Sequence, residues 1–72
     1  MSPEKMIYMA NQIATFFKTQ PETDRAERVA AHLNDFWDPR MRRMLLAHVA
    51  LGGEGFDPVV KAAAQFVQEP AE

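Results

Sequence analysis

Apolar residues recur three and four positions apart along almost the whole chain, and no segment alternates with the two-residue period of a half-buried strand. On a helical wheel, Met6, Ile7, Met9, Ala10, Ile13, Ala14, Phe16 and Phe17 cover about half the circumference of a first helix. An ordinary surface helix needs a stripe of only about 100°. A second stripe reads Ala26, Val29, Ala30, Leu33, Phe36 and Trp37, and a third Met41, Met44, Leu45, His48, Val49 and Leu51. A fourth reads Val59, Ala62, Ala63, Phe66 and Val67.

The breaks between stripes have helix-end chemistry. Ser2-Pro3, Asp38-Pro39 and Asp57-Pro58 each put a capping side chain before a proline, whose missing N–H has no helical partner in the first turn anyway. Gly52-Gly53-Glu54-Gly55 is a stop, with Gly52 or Gly53 suited to the left-handed position after a helix. In TQPETD, either Thr19 with Glu22 or Asp24 with Glu27 has the spacing of a capping box. These signals predict helices from Pro3 to Lys18, Glu22 to Trp37, Pro39 to Leu51 and Pro58 to Gln68, with residues 70–72 as a frayed tail. The expected fold is all-α: one domain over residues 1–72, a small compact bundle of three main helices with the C-terminal helix packed across it. Short connections favour antiparallel neighbours in such a bundle.

Composition narrows the function. A chain of 72 residues holds one small domain with little surplus stability. With no cysteine it has neither disulfides nor thiolate metal ligands, which fits a reducing compartment. Two histidines, His32 and His48, make no convincing metal site. A formal net charge of −2 argues against a general nucleic-acid binder. No apolar run approaches the roughly 18 residues of a membrane span. The N-terminal MSPEKMIYMANQ is broken by polar and acidic residues and does not read as a signal peptide. The expected location is the cytoplasm.

The densest charge cluster is Arg40, Arg42 and Arg43, placed in the first turns of the third helix. A helix N-terminus carries about half a positive charge, so each cation there costs about 0.3–1 kcal/mol. One reading is a solvated face with Asp38 as counter-charge. The other is a patch completed by an external anion, since guanidinium groups pair with carboxylate or phosphate through two hydrogen bonds. Trp37 fits the core stripe, and beside the arginines it also fits an interface edge together with Pro39. His48 lies on the apolar side of its helix with no nucleophile or carboxylate one turn away, which favours a satisfied boundary histidine over a catalytic base. His32 falls among polar neighbours and reads as exposed. GGEGFDP lacks the GxxxxGK[ST] pattern and preceding strand of a phosphate loop, and reads as a turn. Five methionines suit either gap-filling in a small core or an adaptable surface. Asn11 and Gln12, beside a broad apolar face, read either as solvated or as the hydrogen-bonding edge of a second contact surface.

The segments EKMIYMANQIATFF, FWDPRMRRMLLAH and GGEGFDPVVKAA, in this order and spacing, resemble the delta subunit of cytoplasmic NAD-dependent formate dehydrogenases. The resemblance covers nearly the whole chain, and its main departure from the pattern is around TQPETDRAER. It implies a non-redox accessory subunit, with no active site and no cofactor of its own, that supports assembly or stability of a larger complex. The implied partners are the larger subunits: an alpha subunit with a molybdenum or tungsten pterin and iron–sulfur clusters, and flavin- and cluster-bearing subunits that pass electrons to NAD. The alpha subunit is the expected contact. Trp37, Pro39, Arg40, Arg42 and Arg43 are expected to form one docking face, and Asn11 and Gln12 a second. The competing readings are a helical nucleic-acid-binding regulator using the same arginines and, last, a small enzyme acting through His48.

Overall fold

A computed structural model of the chain describes residues 2–20 and 23–69. Helix α1 spans Pro3–Lys18, α2 Arg25–Phe36, α3 Pro39–Ala50 and α4 Pro58–Ala63, and α4 runs on into one 3₁₀ turn, Ala64–Phe66. The fold is all-α, as the pattern predicts. The three proline-led starts are capped as expected. The Ser2 hydroxyl accepts from the Lys5 N–H at 3.2 Å, the Asp38 carboxylate from Met41 N–H at 2.9 Å and the Asp57 carboxylate from Val59 N–H at 2.9 Å.

The start of α2 differs from expectation. Asp24 is its cap residue but makes no side-chain capping bond. Its carboxylate instead takes the Arg28 Nε–H at 2.9 Å, a charge-assisted bond that outcompetes a neutral backbone donor. The proposed start at Glu22, the Thr19–Glu22 box and the tail of residues 70–72 lie outside the described residues. At the end of α3, Gly52 N–H donates to Val49 O and Gly53 N–H to His48 O, the paired bonds of a Schellman stop. Gly52 sits at φ +115°, which a residue with a Cβ adopts only under strain. It, rather than Gly53, is the residue directly after the cap.

The core is made of Met6, Ala10 and Ala14 from α1, Val29, Ala30 and Leu33 from α2, and Leu45 from α3. Trp37, Phe56, Val60, Ala63, Ala64 and Val67 complete it, and among the described residues no polar or charged residue is buried. The buried set on α4 and its turn, Val60, Ala63, Ala64 and Val67, lies one position later than the predicted stripe. The segment is therefore rotated by about 100°, which turns Ala62 and Phe66 outward and Val60 inward. Phe16, Phe36 and Leu51, assigned to the core by periodicity, are exposed.

The closest packing is of α4 and its turn on α2, while α1 touches α2, α3 and α4. The α2–α3 pair, joined by only Trp37 and Asp38, shares little contact, so here the short connection makes a corner and not an antiparallel pair. The Cα radius of gyration is 11.1 Å, close to the ~11 Å of a compact chain this long.

Two asparagines pin the irregular segments to the helices. Asn11 on α1 donates through Nδ2 to Gly55 O at 2.9 Å and accepts at Oδ1 from Asp57 N–H at 2.8 Å. On α2, Asn34 donates through Nδ2 to Phe66 O at 3.2 Å and accepts at Oδ1 from Gln68 N–H at 2.8 Å. The second clamp is why the chain leaves helical geometry before Gln68. Val67 is already extended there, at φ −75° and ψ 127°.

Candidate functional site

The arginine cluster does not converge as a single patch. Arg40 is exposed, next to exposed Pro39. Arg42 is half-buried and turns back toward the C-terminal segment, where its Nη1–H donates to Gln68 O at 3.3 Å while its Nε is buried without a hydrogen-bond partner among the described residues. Arg43 is exposed, has a partner within the chain, and borders a shallow groove with Leu46, Ala47, Ala50 and Glu69. The first turn of α3 holds no acidic residue, and Asp38 contributes its carboxylate to the Met41 N–H. The electrostatic mismatch at this helix start is thus eased in three ways: a cap, a tether to the C-terminal strand of chain, and exposure of Arg40 to solvent.

Trp37 is only 6% exposed and belongs to the core. Its edge does reach the surface feature described below. His48 is half-buried, with Nε2 2.7 Å from Glu54 O and its ring edge-on to Phe56 at 5.0 Å. A carbonyl oxygen only accepts, so this nitrogen carries the proton. The imidazole is a strut between α3 and the glycine turn. Asn11 has both ends of its amide engaged by the same turn, and this clamp is its observed use. Gln12 is exposed and donates to the Tyr8 hydroxyl at 3.1 Å. Lys18 at the end of α1 pairs with Asp57 at the start of α4. That ammonium first, then the Val59 N–H, holds the Asp57 carboxyl below the usual range. Arg28 likewise lowers Asp24.

One prominent surface feature was not foreseen from the stripes. Tyr8, Gln12 and Phe16 stand at i, i+4 and i+8 on the outer side of α1, with Tyr8 63% and Phe16 59% exposed. Across from them on α2, Phe36 is 74% exposed. Between these two helices lies an open groove of about 430 Å³, floored by Met9, Ile13, Phe17 and Trp37 and edged by Gln12, Phe16, His32 and Phe36. The rings interlock. Phe16 meets Phe17 edge-on at 5.2 Å, and His32 lies 4.7 Å from Phe36 and 6.4 Å from Phe17. Such pairs are worth about 0.5–1.5 kcal/mol each beyond their buried area. His32 is therefore half-buried among aromatic rings, where the sequence reading left it exposed among polar neighbours. A second shallow groove, bordered by Tyr8, Asn11, Thr15 and Phe16, lies on the other side of the ridge. Part of the signal was present in the sequence: the stripe of α1 was too wide for a single buried face, and Phe16 is its surplus, whereas Tyr8 and Gln12 fell outside the stripe.

Among the described residues there is no group of three or more histidines, cysteines or carboxylates placed to hold a metal ion, and no helix is long and apolar enough to cross a membrane. The fold and surface define a small all-α bundle whose prominent surface features are an uncharged aromatic ridge and an arginine-bearing corner. The chain belongs to the family of NADH-dependent formate dehydrogenase delta subunits, FdsD, whose model matches residues 5–64. No match was found among curated proteins.

Proposed function

We propose that this chain is a non-catalytic accessory subunit of an NAD-dependent formate dehydrogenase complex, acting in the cytoplasm and supporting assembly or stability by protein–protein binding. Membership of the delta-subunit family implies association with the other subunits. The observation that carries the finer reading is surface chemistry. A chain of 72 residues leaves three large aromatic rings more than half exposed within one region, which costs solubility unless another chain covers them. The arginine corner supports the same reading. Arg40 has no ion pair among the described residues, and Arg43 stands exposed one turn on, so carboxylates of a partner can reach both. The subunit bearing the pterin and iron–sulfur clusters is the proposed contact, with Pro39, Arg40, Arg43 and Gln12 at the contact surfaces. Arg42, tethered to Gln68, and Trp37, buried in the core, lie behind the corner, and Asn11 borders the second groove beside the ridge.

The test is deletion of this chain from cells that make the complex. Assembled, active formate dehydrogenase should fall several-fold in yield or in half-life at elevated temperature, and a plasmid-borne copy should restore it. Equal yield and equal thermal half-life without the chain would remove the proposal.

A further inference from the structure

We infer that the Tyr8–Gln12–Phe16 ridge and the groove beside it receive an apolar helix from a larger subunit of the complex, with an uncharged face turned inward. The inference rests on the accessory-subunit reading and deepens it by naming what the partner presents.

Three observations select this occupant. The first is backbone chemistry. Apart from the indole N–H of Trp37, the groove is lined by two polar side chains, Gln12 and His32, and Gln12 already donates to Tyr8. A strand or loop pressed into it would leave N–H and C=O groups unpaired, whereas a helix satisfies its own. Among the described residues there is no strand whose edge an extended peptide could join. The ridge itself has the i, i+4, i+8 spacing with which helices fill one another's grooves, and a groove flanks it on either side. From Met9 to Phe17 the floor extends over about 12 Å at 1.5 Å per residue, room for two to three turns and anchors at i, i+4 and i+7.

The second is charge. Neither groove is lined by a charged side chain. A lysine or carboxylate on the buried face of the occupant would lose its hydration without gaining a partner, so the contact face is uncharged. The same point disfavours a nucleic-acid strand, whose phosphates need cations along the track.

The third is area. Three rings of about 150–250 Å² each, exposed by 63, 59 and 74%, offer roughly 300–500 Å² of apolar surface. That suits the centre of an interface of about 800 Å² per partner with a polar rim. The delta-subunit family associates with other subunits, so the occupant is a different chain and not a second copy.

A photo-crosslinking amino acid placed at Phe36, and separately at Phe16, in the full chain within its native complex tests this. Both positions are exposed, so the replacement leaves the core intact. Irradiation should join each to one segment of a larger subunit whose sequence has helical apolar spacing and no charge at the joined turn. Phe16→Ala with Phe36→Ala should weaken capture of the larger subunits at least about tenfold at a temperature where circular dichroism shows the variant and the parent chain equally helical. Crosslinks between two copies of this chain, or to a charged segment, overturn the inference, as does unchanged capture by the double variant. In those cases the accessory-subunit reading survives, because the unmodified chain still co-purifies. If the unmodified chain captures no larger subunit, that reading falls and the inference falls with it.

Discussion

Asn11 shows how much one side chain holds in a protein this small. Helix periodicity placed it beside the apolar stripe, and its composition class marked it as a mediocre helix former. Neither signal says where the amide points. That depends on the glycine turn 44 residues later, which brings Gly55 O and the Asp57 N–H to its two ends. Asn34 does the same for Phe66 O and the Gln68 N–H, 32 and 34 residues on, and drew no notice in the sequence. Long-range amide clamps are illegible to any local pattern, because only the tertiary fold supplies the partner. Aliphatic burial was more legible. Met6, Ala10, Ala14, Val29, Ala30, Leu33 and Leu45 all follow from spacing, while the exposed Phe36 and Phe16 do not, since periodicity rates a ring as core wherever it falls near the stripe. Asn11→Ala removes both bonds and leaves two backbone groups of the turn without partners. We expect a loss of about 1–3 kcal/mol, which at this size lowers the melting temperature by about 5–20 °C. Thermal unfolding followed by circular dichroism checks it, and a shift under 2 °C would show that water replaces the amide at no cost.

At the scale of elements, the proline-led starts were legible because the signal is local: an oxygen-bearing cap, then a residue that needs no N–H partner. The Schellman stop was legible for the same reason. The start of α2 and the end of α4 were not. One depends on Arg28 drawing the Asp24 carboxylate away from the helix end, the other on Asn34. The roll of α4 also escaped the pattern, since a six-residue helix, Pro58–Ala63, has too few turns for its period to settle its face. Beside the Asn11 clamp, the Lys18–Asp57 pair ties the start of α4 to α1, and it makes a pH prediction. The Asp57 carboxyl titrates below its ordinary value of 3.8 in the folded chain, because Lys18 and the Val59 N–H favour the charged form. The unfolded chain therefore takes up this proton first as pH falls. The stabilisation is complete above about pH 4 and is lost as pH drops through the folded value. Lys18 is nearly half exposed, so solvent screens the pair and its share is small. Asp57→Asn keeps a capping oxygen but removes the charge. Its stability at pH 7 should fall by about 0.5 kcal/mol, and it should lose less stability than the parent chain between about pH 5 and pH 2. Urea titrations of both proteins across that range measure the difference, and parallel pH curves would refute the assignment.

On the whole molecule, the small size sets the logic. An exposed area of 4685 Å² encloses a core with one tryptophan and one phenylalanine among its buried residues, yet three other aromatic rings lie outside on one side and an arginine corner adjoins them through Trp37 and Pro39. The family and the all-α class were legible in the chain, because ordered blocks such as FWDPRMRR carry both cap chemistry and resemblance. The proposed contact surface was only half legible. The arginines stood out by composition, but the structure spreads them, with Arg42 drawn to Gln68 and Arg40 left outward. The aromatic ridge needed the packing of α1 on α2 to be seen at all. We propose that these surfaces exist to bind larger formate dehydrogenase subunits. The most direct measurement is an affinity pull-down of the tagged, otherwise unmodified chain from its native cell, with captured proteins identified by mass. The account predicts stoichiometric recovery of the molybdenum- or tungsten-containing subunit, weakened in a chain carrying Arg40→Ala and Arg43→Ala. Recovery of the 8.2 kDa chain alone, or only with copies of itself, would contradict it.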